Sequence, residues 1–342
     1  MRIKDPGGRL LIAVALIVAL ALSAGCAASG TVRQPSRPGV TGTLRAGLRT
    51  GEMLYGGRLR TWTLYVPPGL DRGKDAPLVV VLHGAGSSGA AFLMHDGWMP
   101  EADRRGFIVA APDGLPVLPD SPADPIANPV LWNEGRLRHP GGRAAIDDVA
   151  FIEAMLDRVD GELPVDRRRT YLAGFSNGGG MAFRLAAEAS DRFAALVVVA
   201  SVPWTDEVPN RPMPTLVVIG TADPLVPLRG GIVRSQWLKE VRPPVRPMLE
   251  FWARALGMRS PSITTAVDDS NVLVQDWITS PGESASSTRA PAPMKVVYVK
   301  GYGHGWPGGV GSGLPRGAAG PTAQALDATR LAWEFFVASP DR

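Results

Sequence analysis

Ser176 stands in the stretch YLAGFSNGGGMAFRLA, where residues 174–178 read Gly-x-Ser-x-Gly. A serine hydroxyl is a weak nucleophile until a base takes its proton and hydrogen-bond donors face the oxyanion it creates. Standing alone, the pattern is a glycine-rich turn. Between a strand and a helix it becomes a sharp elbow that lifts Oγ above a sheet and aims a helix N-terminus at it. In elbows of this kind the acid and then the histidine follow the serine in the chain. Of the four histidines, His83, His95, His139 and His304, only His304 lies beyond Ser176, in YVKGYGHGWPGG after the last apolar run. The acid is read as Asp223, which follows an earlier apolar run in TLVVIGTADPLVP. Its carboxylate would hold the imidazole in the useful tautomer and stabilise the imidazolium that forms. The competing carboxylates fit less well: Asp206 precedes that run, and Asp268, Asp269 and Asp276 fall in or near a hairpin pattern. A capping role at a following helix is the other reading of Asp223.

An oxyanion hole needs two convergent N–H groups. One is expected from Asn177, the residue after the nucleophile, and the other from the loop LHGAGSSG, where Ala85 sits between two glycines. His83, at the start of that loop, is read as organising it. Trp132 and Trp306, and less strongly Trp204, are candidates for lining a substrate pocket, although a tryptophan buries a large area wherever it sits. Asp147 and Asp148 open a helical pattern, where acidic residues favour the N-terminus. No His, Asp and Glu cluster has metal-ligand spacing, and the glycine-rich elbow lacks the lysine of a phosphate loop, so neither metal nor cofactor is expected.

The elements that must position these residues are legible as alternating patterns. Residues 59–67 alternate like a half-exposed strand. Residues 77–84, 107–114, 169–175, 194–201, 215–220 and 294–301 are continuous apolar runs, as in parallel strands buried on both faces. Helical spacing recurs over 146–159, after Ser176, and near 233–240, 246–257 and 323–338. The alternation predicts an α/β fold with a mostly parallel central sheet and helices on both faces. Residues 262–278 predict a small exposed hairpin, and 280–293 a solvent loop.

The chain has 342 residues, of which 45% are apolar, enough for a substantial core. Its net charge of +4 owes much to Arg2, Lys4 and Arg9, and no basic block carries interleaved aromatics. Nucleic acid is therefore not an expected partner. The basic start leads into an apolar run from Leu10 to Leu22 that closes on small residues, the layout of an export signal. It is short for a membrane span, which takes roughly 20 apolar residues. Cys26 is the sole cysteine and cannot form an internal disulfide. The stretch LSAGC resembles a bacterial lipobox, which implies lipidation of Cys26 and a lipid anchor in a membrane; Ser23 stands where that motif usually has leucine. Simple cleavage near this point is the alternative. These readings divide the chain into a signal peptide (1–25), a Gly/Pro/Ser-rich tether (26–48) and a catalytic domain (49–342), exported to the cell envelope or beyond.

Taken together, VVVLHGAGSSG, GFSNGGGMAFRLA, GTADPLVP and GYGHGWPGG resemble the polyhydroxybutyrate depolymerase and feruloyl esterase group of α/β-hydrolases, over roughly residues 55 to 310. The segment LWNEGR…IDDVAFI (131–152) is similar to the secreted-esterase branch of that group. The resemblance implies hydrolysis of carboxylic esters by Ser176, Asp223 and His304. The chain departs from many members in having no cysteine pair, so packing alone must hold its pocket. Two other readings use the same residues: peptidase or amidase action by the same triad, and a surface lipoprotein that keeps the fold for binding alone.

Overall fold

In the computed structural model, the described residues are 46–342 except 72, 136–145, 235–238, 282–289, 311–318 and 323–325. They all belong to the unit Val40–Arg342. The expected signal peptide, Cys26, and all of the tether but its last three residues lie outside the described residues.

The strands are β1 Gly47–Tyr55, β2 Arg58–Val66, β3 Ala76–Leu82, β4 Ile108–Pro112, β5 Leu115–Pro116, β6 Val130–Leu131, β7 Val165–Phe175, β8 Leu196–Val199, β9 Thr215–Gly220, β10 Gly231–Arg234, β11 Lys239–Arg242, β12 Pro261–Asp268, β13 Val272–Thr279 and β14 Met294–Val299. The helices are α1 Gly89–His95, α2 Trp98–Arg105, α3 Asp148–Glu162, α4 Asn177–Glu188, α5 Val245–Ala255 and, near the C-terminus, α6 Ala328–Ala338. Ten strands form one sheet in the order β1-β2-β4-β3-β7-β8-β9-β14-β13-β12. From β4 to β14 every neighbouring pair is parallel. Antiparallel strands close both edges.

The apolar runs account for this arrangement. Strand side chains alternate between faces. In β3, Leu78, Val80 and Leu82 enter a core built with α3, α4 and α5. Val79 and Val81 point the other way, into a core built with α1, α2 and α6. All five are fully buried, which is why the run carries no polar interruption. The second core is rich in stacked rings, with Phe107 4.2 Å from Trp333 and Tyr171 4.7 Å from Phe336.

Three elements differ from the sequence expectation. The helix expected near 233–240 falls partly on 235–238, outside the described residues; on either side of them β10 and β11 pair antiparallel, and the β-branched Ile232, Val233 and Val241 favour that state. The 262–278 hairpin is not an appendage. It is the edge of the main sheet, joined through β13 to β14, and its Trp277 is completely buried. β1 lies partly in the segment expected to be tether. It is half-exposed along its length, so no apolar run announces it. Its Gly51 is required by packing, because a Cβ there would lie 2.1 Å from the Trp62 indole.

Candidate active site

Ser176 caps α4 immediately after β7, with φ 53° and ψ −119°. This is a strained backbone for a residue with a Cβ, and it points the side chain away from the helix axis. The flanking glycines are steric requirements. A Cβ on Gly174 would lie 2.3 Å from the Gly178 carbonyl oxygen, and one on Gly178 would lie 2.3 Å from the carbonyl oxygens of both Leu82 and His83. The Ser176 N–H donates to Val199 O at 3.0 Å, tying the turn to β8.

His304 reaches this serine from the loop after β14. Its Nε2 lies 2.7 Å from Ser176 Oγ, and its Nδ1 lies 2.8 Å from Asp223 Oδ2. Proton on Nδ1 and lone pair on Nε2 is the tautomer that lets the carboxylate accept and the serine donate. Asp223 is held in turn. Its Oδ1 accepts from the N–H groups of Leu225 (2.8 Å) and Val226 (2.9 Å) and closes a turn; residues 224–230 are turn, bend and coil, so Asp223 caps no helix. His304 and Asp223 are 3% and 4% exposed, which keeps water from competing for their bond.

The acid and base loops follow adjacent parallel strands, β9 and β14, paired in register through Gly220 and Val299. They are stitched together beyond the strands. Ala222 N–H donates to Tyr302 O (2.9 Å), and Gly301 N–H donates to Thr221 Oγ1 (2.8 Å). The base loop is pinned from its other side by His304 N–H on Ala319 O and Gly303 N–H on Pro321 O. Burial and the negative charges of Asp96 and Asp223 push the Tyr302 phenol up to about 12, so this neighbour of the triad stays neutral.

On the opposite side of the serine lies the 83–86 loop. A Cβ on Gly84 would sit 2.8 Å from the Phe175 ring and 3.4 Å from Ser176 Cβ, which places Ala85 beside the nucleophile. Asn177 is the first residue of α4, and its N–H has no intrahelical acceptor. His83 is fully buried, with Nδ1 2.8 Å from Gly84 O and Nε2 accepting the Gly114 N–H at 3.1 Å. Burial pulls its pKa down, so it is a neutral brace of the loop.

The tryptophan readings need correction. Trp306 is 1% exposed and packs edge-on to Phe92 in the core, with its indole N–H on Thr329 Oγ1 at 2.8 Å. Trp132 is 2% exposed and donates its indole N–H to His83 O at 3.0 Å. Neither presents a ring to a pocket. Trp204 is only half-buried, with the Arg242 guanidinium 5.1 Å from its ring. The acidic pair also divides. Asp147 caps α3 as expected, accepting from Ala150 N–H. Asp148 is fully buried, 2.7 Å from the equally buried Arg60 guanidinium, and it accepts the Asn133 N–H at 2.7 Å. Sequence reasoning missed Arg60, the Asn177 side chain and the structural part of Trp132. Among the described residues, no three His, Cys, Asp or Glu side chains group as metal ligands.

Comparison with known proteins bears on the fold and the class of reaction. The family described as "Putative esterase" matches residues 55–223. The chain is 30% identical over 312 residues to "Putative esterase NocK" of Nocardia uniformis subsp. tsuyamanensis, covering 84% of this chain and 81% of that one. It is 31% identical over 180 residues to feruloyl esterase C of Emericella nidulans, covering 51% of this chain and 58% of that one. An acetyl xylan esterase from Aspergillus awamori shares the fold, with a TM-score of 0.50 and 16% identity, over 75% of this chain and 94% of that one. The fold is that of the α/β-hydrolases, and the protein is a carboxylic ester hydrolase. The chain belongs to the esterase family.

Proposed function

We propose that the protein is an exported serine esterase that works through Ser176, His304 and Asp223, and that it is lipid-anchored through Cys26. The observation that carries the catalytic part is the continuous hydrogen-bonded path from Ser176 Oγ to His304 to Asp223, at 2.7 and 2.8 Å, ending on a serine at positive φ. Ser176 Oγ attacks the ester carbonyl while Nε2 of His304 takes its proton. The N–H groups of Asn177 and Ala85 receive the tetrahedral oxyanion. The imidazolium, steadied by Asp223, returns the proton to the leaving alkoxide and leaves an acyl-serine. Water then repeats the sequence in reverse and releases the acid. The name of the feruloyl esterase C relative supports feruloyl esters as the substrate class. The basic, apolar and small-residue order of 1–26 supports export and anchoring.

The test is Ser176→Ala assayed on a short-chain nitrophenyl ester and on a feruloyl ester. Loss of about 10⁴-fold or more in kcat is expected, with loss of fluorophosphonate labelling. Retention of most activity would overturn the assignment. Anchoring is tested separately by metabolic labelling with a fatty acid, which should tag the parent and not Cys26→Ser.

A further inference from the structure

The two oxyanion donors come from distant parts of the chain, the 83–86 loop and the start of α4, and something must fix their separation. We propose that the short strap Val130–Asn133 does this, with Trp132 and the Asn177 side chain as its positioning residues; the inference rests on the catalytic reading above.

The strap bonds both halves of the hole. Toward the loop, Val130 O accepts the Gly86 N–H at 2.8 Å, and the Trp132 indole N–H donates to His83 O at 3.0 Å. These two bonds bracket Ala85. Toward the helix, Trp132 N–H donates to Asn177 Oδ1 at 2.7 Å, and Asn177 Nδ2 donates to Trp132 O at 3.2 Å. This two-point clamp fixes the residue whose N–H is the other donor. The clamp needs an amide, since both a donor and an acceptor are used.

The strap is itself anchored. Asn133 N–H donates to Asp148 Oδ2 at 2.7 Å, and Asn133 Nδ2 donates to Ile146 O at 2.9 Å. The Arg60 guanidinium, 3.8 Å from the Phe151 ring, bonds the other oxygen of Asp148 at 2.7 Å. From α4, Arg184 reaches back to Asn133 O at 2.7 Å. One bonded chain therefore runs from β2 through α3 and the strap to both donors. An oxyanion donor acts over a narrow range of about 2.7–3.1 Å, so relaxing the strap weakens the transition state more than the bound ester.

Two variants test this. Trp132→Phe keeps an aromatic ring and removes the bond to His83 O. Asn177→Ala removes the clamp and keeps the backbone N–H. Each is expected to lower kcat on a nitrophenyl ester by about 10- to 100-fold, the scale of a misplacement near 1 Å, with KM within about threefold of the parent. Inhibition by a phenylboronic acid, whose serine adduct carries a tetrahedral oxygen, should weaken by the same factor as kcat/KM. Asn177 lies at a half-exposed helix start, so its variant serves if Trp132→Phe does not fold. Variants that lose thermal stability while keeping parental kcat and boronate affinity would overturn the proposal, as would a rise in KM at constant kcat. If Ser176→Ala remains active, the catalytic reading itself fails, a result distinct from these.

Discussion

Asp96 ends α1 in the core beneath the base loop and is 7% exposed, and its Oδ1 has no hydrogen-bond partner among the described residues. The oxygen abuts the backbone of Gly309, where a Cβ would come within 2.0 Å of it. Burial alone pushes the carboxyl from 3.8 to about 8. Between those values the native state holds a proton that the unfolded chain has released, so stability falls as pH rises through the window. A shift of about four units corresponds to a ceiling of about 6 kcal/mol at about 1.4 kcal/mol per unit, which local relaxation will reduce. Asn in place of Asp removes the charge and closely matches the protonated acid in shape. Urea unfolding of the parent and of Asp96→Asn at pH 5 and pH 9 gives a double difference in which all other titrating groups cancel. The parent should lose about 2 kcal/mol or more relative to the variant on going from pH 5 to pH 9. Parallel pH dependence in the two proteins would refute the reasoning, because it would mean that Asp96 titrates alike in the folded and unfolded chains.

Other outcomes follow from the same structure. Asp223→Asn should leave the fold intact and lower kcat by about 10⁴-fold, because an amide at that place favours the wrong imidazole tautomer; steady-state kinetics with matched thermal melts checks both halves. Arg60→Met removes the guanidinium from the fully buried Asp148 carboxylate and should cost about 3–5 kcal/mol in urea unfolding. A loss under about 1 kcal/mol would mean that the ion pair contributes little to stability.

The elbow was legible because it is local: β7, Ser176 and α4 are contiguous, and buried runs bracket them. His304 and Asp223 were legible by chain order, and the structure brings both to hydrogen-bond distance of the path from Ser176. The strap was not. Trp132 and Asn177 are 45 residues apart, and Arg60 and Asp148 are 88 apart, and no spacing pattern connects such pairs. An indole in a sequence shows its bulk but not the direction of its N–H, which is why Trp132 and Trp306 read as pocket walls and are instead buried braces. The β10–β11 pair was misread because a short stretch with few apolar residues fits helical and strand periods alike.

Gly174 and Gly178 abut main-chain atoms, so no rotamer change elsewhere can make room for even a methyl group at either position. The mount of the nucleophile is therefore a fixed part, closed to gradual variation. Divergence toward new esters, in nature or in the laboratory, has to be written outside these two glycines. A mutational library spent on Gly174 and Gly178 would return mostly inactive clones, whatever ester it was screened on.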